Sequence, residues 1–413
     1  MKINIDTVKG FQDSLPPQSQ LREKIKKVFQ KNAQKAGFQP LETPIIEYEE
    51  LVKSDTLPSE GEDEAVRDRF KLEDRAGRNL SLRYEFTFQL ARIFKQNPNL
   101  KLPFKRFQIG PVFRDEPIKQ GRTRQFTQCD IDIMGDDSRL AEAECLSVIN
   151  NTLEDLQIKG TTVQLNNRKL MNAILDSVRI TKPQQVLREL DKLGKLPIED
   201  IKVNLRKVAD VNQILTLFKL LEKDLSFFKE NSFDGAQEIE DLIALCKEYN
   251  IKASFSPTLM RGFAYYTGNI FEILSENGTS LMGGGRFDNL VGKYLDRNIP
   301  AVGCSFSLEA LIGLLPELKN LPVKPVSKAL IISLDQTEDA IALATTLRKN
   351  NIPTQITEDK PGKALEYANS YQIPYTIFIG QAEIVKKKLK LKDMNSGDET
   401  LLTEAALVKK LKK

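Results

Sequence analysis

Arg124, Phe126, Gln128, Asp130 and Asp132 stand at every second position of one short run, with Cys129, Ile131 and Ile133 among the residues between them. In an extended chain successive side chains point to opposite faces. The spacing therefore collects a cation, a ring, an amide and two carboxylates on one face and an apolar set on the other. Arg114 closes the preceding extended run, and Asp115, Glu116, Pro117, Lys119, Gly121 and Arg122 fill the connection as turn-formers and charges. A solvated sheet face is the ordinary outcome of such alternation. Two features argue for a site: Arg114 adds a fixed planar cation, and Phe126 stands among polar positions where a solvated face gains nothing from a ring. Cations for phosphate, a ring for a base and an acid–amide pair for a small polar ligand suit a floor for a nucleotide plus a metabolite.

Histidine and tryptophan are absent from all 413 residues. That excludes imidazole acid–base catalysis, serine or cysteine triads of the usual kind and histidine-ligated metals. The chemistry must run on arginine, carboxylate and backbone, an inventory suited to phosphoryl or nucleotidyl transfer, where positioning and charge stabilisation do most of the work. Cys129, Cys145, Cys246 and Cys304 show no CxxC spacing, which argues against a disulfide framework and a zinc site and fits a reducing compartment. With 61 Lys plus Arg against 57 Asp plus Glu, the net charge of +4 permits local nucleic-acid-binding patches without demanding them. The first residues, MKINIDTVKGFQD, lack the apolar core of a signal peptide, and no run reaches the about 18–20 apolar residues that span a bilayer. A soluble, cytoplasmic protein is expected, with no membrane partner and no resident metal.

The elements that must hold this site follow from periodicity. Residues 16–36 carry an apolar stripe at helical spacing, stopped by Gly37, and FQPLETPIIEYEEL is extended around Pro40 and Pro44, as an edge or interface strand. Residues 59–68 are acidic and loop-like. RNLSLRYEFTFQLARIF supplies a strand ending near Tyr84 and a helix from about Thr87. The hairpin strands are predicted over 104–114 and 123–134, a helix over 138–156, and a strand running into a helix in VQLNNRKLMNAIL. Residues from about 170 to 250 are helical throughout, an insertion between strand-rich regions. Strands return over 251–255, 268–275 and 278–282, Gly283 to Gly285 read as a turn, and 305–315 as a helix. LPELKNLPVKPVSK is a linker. Beyond it, strands and helices alternate as in a compact α/β domain. The domains are thus 1–168 and 251–318 (one core in two parts), 169–250, and 327–413.

Four stretches concentrate polar residues: FRDEPIKQGRTRQFTQCDID, SLRYEFT, LMRGFAYYTGNIFE, and GGGRFDNLVGKY followed by PAVGCSFSLEAL. On these motifs the chain resembles the histidine–tRNA ligases, class II aminoacyl-tRNA synthetases, over essentially its full length. FRDEP with GRTRQFTQ looks like class II motif 2, FQPLETPIIE like motif 1, SFSLEAL like an altered motif 3, and RGFAYYTG and GGRFD like two histidine-specific signatures. The resemblance implies an α+β fold: a class II synthetase antiparallel sheet flanked by helices, a helical insertion, a C-terminal α/β anticodon-binding domain, and a homodimer through the region around Pro44. It implies histidine, ATP with Mg2+ as the substrate complex, and tRNA(His) as partners. The implied reaction is ATP-dependent activation of histidine, then transfer to the terminal adenosine of the tRNA.

Residue by residue, the resemblance implies that Arg114 bridges the substrate carboxylate and the α-phosphate, with Arg261 clamping them from the other side. Glu116 touches adenine and Phe126 stacks on it, while Arg122 and Arg124 meet the triphosphate or the acceptor end. Glu85, Thr87 and Gln128 hold the α-ammonium, Asp132 and Tyr266 read the imidazole, and Tyr265 lies in the same pocket. The chain departs from the family pattern at four positions: Ala310 stands for the motif 3 arginine that grips the γ-phosphate, Ser307 for a glycine, Ala264 for an aspartate and Phe287 for a tyrosine. Loss of one charge-assisted phosphate contact weakens nucleotide binding by about 1.5–3 kcal/mol. These departures leave a second reading, a catalytically silent synthetase-like regulator that binds histidine or tRNA. Taken alone, three successive glycines are most often a turn, Tyr265 and Tyr266 core aromatics, and the lysines at 386–388 and 409–413 solvated faces or tRNA-phosphate contacts.

A histidine-free ligase for histidine can be translated while charged histidyl-tRNA is scarce. Under histidine starvation, synthesis of a reporter fused to this coding sequence is expected to persist and to fall when histidine codons are inserted; equal yields remove the idea.

Overall fold

The computed structural model describes residues 5–52, 68–118, 123–194, 196–261, 265–295, 297–315, 318 and 325–412. Two compact units, Met1–Leu321 and Pro322–Lys413, divide inside the proline- and lysine-rich segment predicted as a linker. Most of that segment, and the acidic stretch up to residue 67, lie outside the described residues.

The strands of the first unit are, in chain order, β1 (Gln39–Pro40), β2 (Ile46–Tyr48), β3 (Lys71–Glu73), β4 (Asn79–Leu82), β5 (Phe104–Phe113), β6 (Gln125–Met134), β7 (Thr162–Asn167), β8 (Ala253–Phe255), β9 (Asn269–Leu274), β10 (Ser280–Arg286) and β11 (Ala301–Ser307). Eight of them form one sheet in the order β1-β5-β6-β11-β10-β9-β7-β8, and β2-β4-β3 form a small second one. The six central strands of the large sheet are antiparallel. Parallel pairing occurs only where β1 and β8 close the two edges. Pro40, which has no N–H to donate, sits at such an edge.

One face of this sheet is apolar. Cys129 and Ile131 of β6 are fully buried there. Helix Gln18–Lys35 lays Phe29 against them, edge-on to Phe107 at 6.3 Å and to Phe306 at 5.4 Å. Gly37, with φ +80°, turns the chain out of that helix. Helix Arg139–Asp155 starts on a Ser138 cap, whose hydroxyl accepts from the Ala141 N–H.

Residues 168–248 form six helices among the described residues. The last, Ala236–Glu248, is pinned to the sheet by Glu238, which accepts from Asn167 at 2.7 Å and Lys169 at 2.5 Å. The second unit adds β12 (Ala329–Ser333), β13 (Thr354–Thr357), β14 (Tyr375–Ile379), β15 (Leu389–Asp393) and β16 (Glu399–Leu402), in the order β13-β12-β14-β15-β16. Its first three strands pair in parallel through crossover helices Thr337–Lys349 and Pro361–Ser370, and the last two continue as an antiparallel meander.

Two expectations are overturned. The glycine triplet is not a turn: Gly283, Gly284 and Gly285 lie inside β10, paired on both sides with β9 and β11. Residues 305–307 are not helical: they end β11, and the helix runs Leu308–Leu314 behind a Ser307 cap. The first error has a plain cause: glycine-rich segments carry too little side-chain signal to show a strand buried on both faces.

A Cβ at Gly284 would lie 2.0 Å from the backbone oxygen of Gly303. Because backbone, not a side chain, must yield, Gly284→Ala is expected to cost about 1–3 kcal/mol or more of stability. A lowered urea midpoint at unchanged m-value is the measurement.

Candidate active site

Cross-strand register sets out the other face as rows, since directly paired residues share a face. Arg106 of β5, Asp132 of β6, Gly303 of β11 and Gly285 of β10 form one row. Gln108, Asp130, Ser305, Gly283 and Glu272 of β9 form the next, and Gly110, Gln128 and Ser307 a third. The alternation read from β6 is therefore real, and its polar side is buried: Gln128, Asp130 and Asp132 are each no more than 5% exposed.

Glycines in these rows are the space in which functional side chains lie. A Cβ at 283 would sit 1.5 Å from Nη1 of Arg261, one at 285 would meet the Tyr266 ring at 2.9 Å, and one at 303 would sit 1.8 Å from Oδ1 of Asp132. Asp132 and Tyr266 thus occupy the space above two directly paired glycines. At Gly110 the occupant is Arg83, 2.8 Å away through Nη2, which also donates from Nη1 to the Thr43 carbonyl at 2.7 Å.

A cavity of about 280 Å3 opens above this floor, lined by Arg114, Glu116, Phe126, Gln128, Arg261, Gly283, Ser307 and Ala310 among others. Arg114 is sandwiched between aromatic rings, 4.3 Å from the centroid of Tyr84 and 5.1 Å from that of Phe126. Its Nη1 lies 3.8 Å from Glu116 Oε1. Arg261 Nη1 lies 3.8 Å from Glu272 Oε1 and donates to the Phe271 carbonyl at 3.4 Å. Burial works against the charge of Arg261, but Tyr266 and Glu272 outweigh it and its pKa ends above the ordinary arginine value. Two guanidinium groups from distant segments therefore face one cavity.

Beneath it lies a buried acidic cluster. Arg106 Nη2 is 2.6 Å from Asp132 Oδ2 and 3.9 Å from Asp130 Oδ2, and Gln128 Nε2 donates to Asp130 Oδ2 at 3.2 Å. Burial pushes Asp132 up to about 6, with Arg106 pulling the other way. Burial raises Asp130 well above the carboxylate range; Arg106 opposes this, and Asp132 and Glu85 add to it. Tyr265 donates to Glu85 Oε2 at 3.3 Å, and its ring packs 4.9 Å from that of Tyr266. Thr87 is buried just ahead of helix Phe88–Gln96. Tyr265 and Tyr266 belong to the apolar core as well, beside Phe88 and Phe287.

Not every expected residue lines the cavity: Glu85, Thr87, Asp132, Tyr265 and Tyr266 stand outside its lining, and so does Arg124. Arg124 braces the hairpin, its Nη2 3.1 Å from Asp115 Oδ1 and its Nε donating to the Glu116 carbonyl at 3.2 Å. Arg122 and Ala264 lie outside the described residues. Arg286 and Asp288, which flank the glycines, are structural. Arg286 donates from Nε to the buried Glu142 at 2.6 Å, and Asp288 accepts from the Ala301 N–H at 2.9 Å. Glu309 accepts from the Thr127 N–H at 2.7 Å and from Arg22 at 2.7 Å, which ties the helix beside Ala310 to β6. The sequence reading missed Arg83, Arg106 and Glu142, because a charge in a mixed run carries no sign that its partner is distant in sequence.

An antiparallel sheet with a hairpin arginine and an arginine from a later segment over one cavity is the catalytic fold of the class II aminoacyl-tRNA synthetases. The histidyl-tRNA synthetase family model matches residues 10–311 and the anticodon binding domain model residues 323–413. Histidine–tRNA ligase 1 of Bacillus cereus is 35% identical over 98% of this chain and 97% of its own length. The crystal structure of histidyl-tRNA synthetase from Nostoc superposes with a TM-score of 0.86 at 26% identity, covering 100% of this chain and 99% of that one. A Bacillus halodurans structure described as an ATP phosphoribosyltransferase regulatory subunit/histidyl-tRNA synthetase shares the fold, with a TM-score of 0.73 at 19% identity, over 89% of this chain and 97% of that one. The chain belongs to the histidyl-tRNA synthetase family.

At Gly283 the intruding atom is the end of a flexible side chain, unlike at Gly284. Gly283→Ala is expected to displace the Arg261 guanidinium and lower kcat by about 10²-fold or more. Its thermal midpoint should stay near that of the parent, as differential scanning calorimetry would record.

Proposed function

We propose that the cavity activates histidine with ATP and that the chain then transfers the histidyl group to its tRNA. The substrate carboxylate attacks the α-phosphorus, a P–O bond forms as the bond to pyrophosphate breaks, and histidyl-adenylate results. A hydroxyl of the terminal adenosine of the tRNA then displaces AMP from the acyl carbon. The attacking carboxylate is already ionised, so the first step needs no general base, and a chain without histidine loses nothing there. Negative charge gathers on the oxygens around the α-phosphorus, and two fixed guanidiniums answer it with little reorganisation. The juxtaposition of Arg114 and Arg261 around one cavity is the observation that carries this reading.

In this assignment Phe126 and Glu116 receive adenine, and Mg2+ enters bound to the triphosphate. Gln128, Glu85 and Thr87 take the ammonium, while Asp132 and Tyr266 take the imidazole, with Tyr265 beside them. An analogue without the imidazole nitrogens leaves buried polar groups unpaired, a penalty of up to about 10⁴-fold or more. Arg122 and Arg124 are assigned to the triphosphate or acceptor end, Arg124 only if it exchanges its Asp115 contact. Residues 1–168 and 251–318 act as one catalytic core, 169–250 as its insertion and 327–413 as the anticodon reader. Ile45, Ile46, Tyr48 and Leu72, all more than a third exposed around the small sheet, support a homodimer through this region. No helix among the described residues is long and apolar enough to cross a membrane, and four buried free cysteines suit the cytoplasm.

At Ala310 the cavity wall carries no cation, the one observation on the side of the regulatory alternative, which the full-length likeness to histidine–tRNA ligases does not favour. Histidine-dependent ATP–pyrophosphate exchange separates the two. Exchange is expected in the parent and should fall by about 10²–10³-fold in Arg261→Ala; folded parent protein without exchange would favour the regulator.

A further inference from the structure

We infer that Arg106, which does not line the cavity, is a positioning residue for histidine recognition, holding Asp132, Asp130 and through them Gln128 in the arrangement that reads the substrate. This rests on the assignment of Asp132 to the imidazole made above.

Arg106 is fully buried, with its guanidinium inside the sheet face rather than at its rim. An unpaired cation there is prohibitively costly, and even a paired one is often no more stable than apolar residues of the same volume. Stability alone therefore does not account for an ionic cluster at this place. Its geometry points to a different use. Asp132, 2.6 Å from Arg106, is thereby held over Gly303, beside the Tyr266 ring over Gly285. Asp130, 3.9 Å from the same Nη2, accepts from Gln128, and Gln128 lines the cavity. One cation thus orients both carboxylates on which the cavity floor depends. On its other side Arg106 Nη1 is 3.5 Å from Gln108 Oε1, and Gln108 donates to Thr43 Oγ1 at 2.8 Å, so the guanidinium is itself held from the segment before Pro44.

Electrostatics give the second argument. Asp130, Asp132 and neighbouring Glu85 are clustered, and two guanidiniums act on that cluster: Arg106 on both aspartates and Arg83 on Asp130. Besides Arg106 from β5, the titratable groups around Asp132 are Asp130 on its own strand, Cys304 on β11 and Cys145 on helix Arg139–Asp155. Both thiols are pushed up by burial and stay neutral. Glu85 acts on Asp130 from the segment before helix Phe88–Gln96. Arg106 is thus the one group in this set that holds down the proton affinity of Asp132.

The test is histidine-dependent ATP–pyrophosphate exchange with the full chain, followed from about pH 5.5 to 8, in the parent, Arg106→Gln, Arg106→Lys and Asp132→Asn. Arg106→Gln is expected to raise KM for histidine by about tenfold to a hundredfold and leave KM for ATP unchanged. It should also move the acid limb of kcat/KM for histidine to higher pH, because the carboxylate loses the cation that favours its charged form. The imidazole of the substrate titrates identically in every variant, so the difference between profiles belongs to the protein. Arg106→Lys should recover part of both effects. KM values for both substrates rising together, or an acid limb that coincides with the parent's, would overturn the inference. An unchanged KM for histidine in Asp132→Asn sinks the assignment of Asp132 itself, whereas a raised one there with an unchanged one in Arg106→Gln sinks the role of Arg106 alone. If Arg106→Gln does not fold, the double variant Arg106→Gln/Asp130→Asn removes one carboxylate with the cation and gives the same two readouts.

Discussion

A guanidinium and two carboxylates shut away from water on the face of a sheet constrain everything around them. Each charge forgoes hydration, and the low polarisability of the interior magnifies any error in pairing. Arg106, Asp130 and Asp132 meet part of that constraint by standing in adjacent rows of two paired strands, with Gln128 and Gln108 bonded at the margins, while Arg106 Nε, Asp130 Oδ1 and Gln128 Oε1 keep no hydrogen-bond partner among the described residues. The register of β5 against β6 is consequently fixed twice. A slip of one residue would turn Ile131 and Cys129 toward the cluster and drive the carboxylates into the apolar layer around Phe29.

The same face depends on how near side chains can come to bare backbone. Arg261, Tyr266 and Asp132 each lie over a glycine, the first two from the connection between β8 and β9 and the third from β6. The hairpin contributes the other wall, where Arg114 is held between two rings. Arg286, Glu142 and Asn269 anchor the sheet from below, the last two joined at 2.6 Å, and Glu238 extends that network to the final helix of the insertion. The helical insertion is therefore tied to the floor of the site by polar contacts near its beginning and its end.

Much of this could be read in the chain. The alternation of β6 placed Phe126, Gln128, Asp130 and Asp132 together because a two-residue period survives any tertiary context, and the helix 18–35 showed in its apolar stripe. The glycine triplet misled, since a strand stripped of side chains looks like a turn until its neighbours are known. Strand β11 alternates Val302, Cys304 and Phe306 with Gly303, Ser305 and Ser307, a period that a boundary drawn at Ser305 cuts in two. Arg124 illustrates a different limit. A motif reports which residue type stands near a site, whereas its contact with Asp115 is settled by the geometry of the hairpin base. Arg106 marks the furthest reach of the gap, because its partner lies across the hairpin and only register reveals the pair.

Glycine beneath Arg261, Tyr266 and Asp132 has a consequence for how this molecule can change. Ordinary active sites adjust by swapping one wall residue for a larger or smaller one, but here the wall is main chain, and its contour is not a variable. Any change in what the cavity accepts has to come from the side chains that stand over this backbone, not from the backbone itself. The pleated main chain is the fixed die, and the side chains above it the interchangeable part.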